Sequence, residues 1–287
     1  MLKSKMTFNF LGLVSIVAII LRTLLVINNT DDRGLYINEG SPIILIFNTL
    51  LIISTLVFLI IPMIDKMPEE NRCRNKDKIL GPILTILGGF IMFMGLVDFF
   101  VIIQLVGSNN WNDFRYYLMM TENGLMRLII SVITFITGWM VTNLSMIIIS
   151  KKQTANRYGV AIMLAIWTIA RAMLFTRSNT TIANIANNMY SMISIISAIS
   201  FFLGFSKLMF GVDVKSGYRL SLVSGFITAL YGMLASIPNY ISFFLGKNLS
   251  FSIKDIPSIA NLSISIFTVI FLFILTYSKG ENKDVFN

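Results

Sequence analysis

The sequence predicts an all-α integral membrane protein with about eight transmembrane helices and both termini cytoplasmic. Three observations lead there. First, 55% of the residues are hydrophobic and 13% are charged, with a mean hydropathy of +0.78. Soluble domains carry about 25% charged residues, so a chain this apolar needs lipid as its solvent. Second, apolar runs alternate with short polar segments, and each run reaches the roughly 20 residues that a helix needs to cross a bilayer. Third, with the N-terminus inside, the inner segments hold fifteen Lys and Arg residues and the outer segments five, the asymmetry that retains cationic loops in the cytoplasm. The net charge of +9 then belongs to those loops and does not point to nucleic acid.

Lys3 and Lys5 precede the first run, about Phe8 to Asn28. It is too long for the apolar part of a signal peptide, and no small-residue cleavage site follows, so it reads as a retained helix. Arg22 lies within it. The surrounding Leu, Ile, Val and Phe residues, at about −0.3 to −0.6 kcal/mol each, offset the roughly 2.5–3.5 kcal/mol that an Arg costs at the bilayer centre. Ser41-Pro42 starts the second helix, with Ser at the cap and Pro where its missing N–H is harmless. This helix runs to about Ile64. The charged loop Asp65 to Lys78 follows, with Lys66, Arg72, Arg74, Lys76, Lys78 and the single cysteine, Cys73.

The third helix, Ile79 to Gly107, is the segment around which the rest is organised. Gly81, Gly88 and Gly95 recur every seventh residue, and Asp98 follows one turn after Gly95. Asp98 is the one carboxylate inside a strongly apolar run. Trp111, Phe114, Tyr116 and Tyr117 in the next segment suit the headgroup region. The fourth helix covers about Gly124 to Ser150, with Arg127 at its start, and Lys151, Lys152 and Arg157 fill the loop after it. The fifth spans Tyr158 to Thr176 and contains Arg171. The sixth runs from Ile182 or Asn184 to Phe210. The seventh spans Leu220 to Leu245 and is interrupted at Pro238-Asn239. The eighth starts at Asp255 or Pro257 and ends near Tyr277.

The chain is a single polytopic domain, 1–287, that divides into halves 1–150 and 151–287. Ile20 to Leu25 (ILRTLL) parallels Ile169 to Leu174 (IARAML), and Gly88 and Gly95 parallel Gly225 and Gly232 in the seventh helix. Four spans per half would give a parallel repeat, the alternative being chance similarity between apolar helices. Small residues at such spacing let helix backbones approach closely, so Gly81, Gly88, Gly95, Gly225 and Gly232 are expected to pack helices together.

Candidate site residues are the polar groups within or at the ends of spans: Arg22, Asp98, Arg127, Arg171 and Asn239. A charge facing lipid is costly, so these groups are expected to face a watery cavity or one another, or to reach the outer headgroups. Asn48 and Asn143 are expected to hydrogen-bond between helices. The chain has no histidine and one cysteine, which excludes disulfides within it, zinc sites built on His and Cys, and Ser-His-Asp hydrolysis. Glu69, Glu70 and Arg74 match the EExxxR string of a family of intramembrane proteases. That string belongs in a helix accompanied by membrane histidines, and here it sits in a charged loop, so the protease reading fails. Phosphate-binding glycine loops are absent, and no metal or other cofactor is expected.

The functional expectation is a transporter or permease with an outward-facing polar pocket for a small-molecule substrate, and not an enzyme. The alternative is a membrane sensor or accessory subunit that binds a cytoplasmic protein partner through the basic loop 65–78. A lipid-processing enzyme ranks third, because one membrane carboxylate without His offers little acid–base chemistry. The lipid bilayer is the expected environment and a bacterial cell membrane the expected location, from the Ile-, Asn- and Lys-rich composition.

Overall fold

The computed structural model describes residues 2–29, 37, 40–64, 77–105, 124–150, 157–178, 185–245 and 256–277. Among them are eight α-helices: α1 (Leu2–Asn28), α2 (Pro42–Ile64), α3 (Asp77–Leu105), α4 (Gly124–Ile149), α5 (Arg157–Ser178), α6 (Ile185–Phe210), α7 (Val214–Phe244) and α8 (Ile256–Tyr277). No described residue is in a strand. Seven of the helices are long and apolar enough to span a membrane. In the other, α5, the apolar part is Ile162–Thr176, but its 22 residues reach about 33 Å at 1.5 Å per residue. The all-helical membrane architecture is thus the one the composition demands. The basic loop up to residue 76, Cys73, the aromatic segment around Trp111 and the polar tail lie outside the described residues.

Four helices pack around α7. It packs against α6, α8, α1 and α2, while α3 pairs with α4 and touches α8, and α5 lies against α4 and α6. Within its apolar window α7 is 72% buried, against 28% for α2, so α7 is interior and α2 peripheral. At one end of the bundle the Tyr277 hydroxyl of α8 donates to Asn9 Oδ1 of α1, and Lys5 Nζ lies 5.3 Å from the Tyr277 ring centroid. The beginning of the first helix and the end of the last therefore meet at the same face of the bundle.

Helix α1 begins at Leu2, ahead of Phe8, and two features of α7 also differ from expectation. Helix α7 begins at Val214, six residues before Leu220, so Lys215 and Arg219 are helical. The α6–α7 connection shrinks to a turn in which Gly211 and Asp213 have φ of +67° and +46°. Asp213 caps α7: its Oδ1 accepts from the Ser216 amide at 3.3 Å, and Lys207 Nζ approaches its other carboxylate oxygen at 3.4 Å. Helix α7 also continues through Pro238 to Phe244 without interruption. The proline withholds one N–H. Asn239 Nδ2 donates to the Ala235 carbonyl at 3.1 Å and Ser242 Oγ to the Pro238 carbonyl at 2.8 Å. Neither bond reaches the Leu234 carbonyl, whose usual N–H partner is the one the proline lacks.

The glycines of α3 do pack helices. A Cβ on Gly88 would stand 2.7 Å from the Thr142 amide nitrogen and 2.9 Å from the Gly138 carbonyl; one on Gly95 would stand 2.6 Å from the Phe135 nitrogen. Opposite them, Gly124, Ser131, Gly138 and Ser145 form a buried row on α4, also seven residues apart. Two antiparallel small-residue rows thus bring backbones into contact. Ser145 Oγ donates to the Gly81 carbonyl at 2.6 Å and also bonds Thr85 Oγ1. Gly225 and Gly232 share the spacing but not the surroundings, since they meet side chains of α6 and α8: Phe201 and Leu272 at Gly225, Ser194 and Ser265 at Gly232.

Asn48 and Asn143 do not bridge helices. Both are exposed on the outside of the bundle: Asn143 falls opposite the buried row of α4, and Asn48 lies to the side of the buried row of α2.

Candidate functional site

The intramembrane charges fall into two groups on different helices. Asp98 near the end of α3, Arg127 at the start of α4 and Arg171 near the end of α5 form the first. All three are half-buried. The charge of Arg171, and after it that of Arg127, acts on Asp98, and Asp98 acts in turn on Arg171. The coupling is through space: among the described residues, an ion pair closer than 4 Å joins only Lys207 and Asp213. The α3–α4 pairing fixes Asp98 relative to Arg127, because the small-residue rows hold the two backbones in one register.

Arg171 is positioned by its own helix. Its guanidinium carbon lies 5.3 Å from the ring centroid of Trp167, one turn back. Trp167 is fully buried and donates through Nε1 to Thr134 Oγ1 of α4 at 3.0 Å. Thr134 in turn donates to the Ile130 carbonyl at 2.7 Å. This hydrogen bond ties α5 to α4 below the charges and satisfies an indole N–H that has no water to turn to.

Arg22 is elsewhere. It is 1% exposed, which rules out a side chain reaching the headgroups. Its guanidinium carbon lies 5.3 Å from the Tyr190 ring centroid of α6. Tyr190 meets Phe47 of α2 edge-on at 6.2 Å and Tyr231 of α7 at 6.1 Å, and the Tyr231 hydroxyl shares a 2.9 Å hydrogen bond with Thr55 of α2. Arg22 is thus held in an aromatic setting built by α1, α2, α6 and α7. A cation over an aromatic face contributes about 2 kcal/mol when desolvated. Asn239 joins neither group, and its amide is engaged with its own helix.

Of the five candidates, Arg127 and Arg171 act electrostatically on Asp98, whereas Arg22 and Asn239 take no part in that group. Sequence reasoning missed Trp167, Thr134, Tyr190, Tyr231 and Thr55. Only the level of Trp167, one turn from Arg171, was a signal that could have found any of them. Among the described residues no three of His, Cys, Asp and Glu come close enough to hold a metal. No family model, no curated protein and no solved structure matches the chain.

Proposed function

We propose that this multi-pass membrane protein is a permease-type transporter, and that the space between the outer ends of α3, α4 and α5 receives a small charged solute. One observation carries the reading: Asp98, Arg127 and Arg171 come from three helices, are half-buried and interact electrostatically. Charge of both signs held inside a bundle is expensive in lipid and commonly marks a solute or ion pathway. The cluster lies at the ends of helices that the cation asymmetry assigns to the outer face, so it can fill from outside.

The test is flux through proteoliposomes of purified protein against a panel of labelled amino acids, organic anions and organic cations. The expected result is saturable uptake of one class, lost in Asp98→Asn and Arg171→Ala variants that purify and unfold like the parent. Intact flux in both variants would overturn the assignment of the site. A second reading, a sensor or accessory subunit recruiting a cytoplasmic protein through Arg72, Arg74, Lys76 and Lys78, rests on the charge of that loop. It is to be abandoned if neutralising the four residues leaves every co-purifying protein bound.

A further inference from the structure

We propose that the outward face of α4 is an interface between two copies of this chain, related by a two-fold axis along the membrane normal. Ile129, Val132, Ile136, Trp139, Asn143 and Met146 follow one another at alternating spacings of three and four, and all are exposed. The spacing mirrors the buried row of Gly124, Ser131, Gly138 and Ser145 on the other side of the helix. The two polar groups on this seam are what a lipid-facing surface does not explain.

Among the described residues, neither the Asn143 carboxamide nor the Trp139 indole N–H has a hydrogen-bond partner. With the 26-residue α4 centred in the bilayer, Asn143 lies about 10 Å from the midplane and Trp139 about 4 Å. Both are inside a hydrocarbon half-thickness of about 15 Å. A lipid-facing Trp belongs at the headgroups. Asn lacks the long stem with which Lys or Arg would reach them, and lipid tails offer an amide nothing to bond.

A second copy meets these needs. Copies insert in the same orientation, so a two-fold axis relating them runs along the membrane normal, and each residue beside it meets its own twin at equal depth. A carboxamide carries both donors and an acceptor, so two Asn143 side chains bond each other reciprocally. The seam carries no charge, so nothing on it repels an identical surface. Ile129 and Ile136 precede Asn143 at seven-residue intervals. β-Branched residues at that position favour two parallel strands, and a single Asn among them fixes the register. Helix pairs of this kind also form in lipid, where packing and interhelical hydrogen bonds drive association.

The experiment uses the full chain carrying Cys73→Ser, in which an introduced cysteine is the only thiol. In native membranes treated with copper-phenanthroline, Met146→Cys should cross-link to twice the chain mass, and Met63→Cys, on the exposed side of α2, should not. For purified, labelled chain diluted in liposomes, Asn143→Leu should raise the dimer Kd about tenfold, and Asn48→Leu should leave it unchanged. A parent that is monomeric at every protein-to-lipid ratio would overturn the proposal. So would cross-linking at Met63→Cys in place of Met146→Cys, a Met146→Cys product that contains another protein, or an Asn143→Leu dimer as tight as the parent. If Asn143→Leu does not insert, the cross-linking pair decides.

Discussion

The carbonyl oxygen of Gly88 lies 2.7 Å from the point where a Cβ on Gly138 would stand, so α3 and α4 touch backbone to backbone at these two residues. The Met92 nitrogen crowds the same point. Gly138→Ala cannot be absorbed by a side-chain rotation, because the neighbours are main-chain atoms, and overpacking of this kind costs about 1–3 kcal/mol. Gly138→Leu should separate the helices altogether. The expected result is a lower unfolding midpoint for Gly138→Ala and loss of monodisperse protein for Gly138→Leu. By contrast Gly89→Ala, where no atom lies within 4 Å of the added carbon, should behave like the parent in size-exclusion chromatography.

Trp167 and Thr134 provide a double-mutant test of the α4–α5 tie. Trp167→Phe and Thr134→Val should each cost about 1 kcal/mol through the lost 3.0 Å bond, the usual net value of a hydrogen bond. The two together should cost clearly less than the sum, since they remove the same interaction. Strict additivity in denaturant titrations would show that the bond carries no stability.

Arg22 is expected to act as a structural cation. Arg22→Ala should destabilise the fold by roughly 2–4 kcal/mol, because it empties a buried volume and removes the cation from the Tyr190 face. Arg22→Lys should recover only part of this, since an ammonium lacks the planar face that stacks on a ring. Thermal unfolding of the purified variants measures both. Full stability of Arg22→Ala would show that the aromatic setting does not depend on the charge.

The α6–α7 turn should respond to acid. The Ser216 amide, followed by the neighbouring Lys207, holds the Asp213 carboxyl below its ordinary range. A carboxyl with a depressed folded value adds stability at any pH above its unfolded value of about 3.9, and that contribution fades as the pH falls through the lower, folded value. Asp213→Asn keeps the tolerance for φ of +46° but loses the charge. The difference in Tm between parent and variant should therefore be present at pH 7 and shrink below pH 4.

The membrane class was legible because composition and run length leave no other solvent for this chain. The start of α7 was not, because Lys215 and Arg219 look like loop residues. In the structure they occupy the first turns of a helix end, where long cationic side chains can reach the interface. The Asp98–Arg171 relationship was half legible, since both residues fall near the helix ends that the cation asymmetry assigns to the outer face. The partner of Arg22 was hidden, because Tyr190 and Tyr231 sit in apolar runs where an aromatic residue carries no pattern of its own. The α4 row of Gly124, Ser131, Gly138 and Ser145 was missed for a different reason. Glycine and serine alternate there at the same spacing as the glycines of α3, so the match shows only when both residue types are counted as small.

The central position of α7 sets an order of events during synthesis. Helix α2 packs on α1 and α7, and α1 packs on α2, α7 and α8. Both emerge from the ribosome long before α7 exists. Arg22 must first wait for Tyr190 of α6, and Thr55 for Tyr231 of α7 itself, so the buried faces of α1 and α2 stand meanwhile in lipid or against the insertion machinery. The early helices therefore enter the membrane as an unfinished surface, and the bundle closes only when its seventh helix is threaded into the middle.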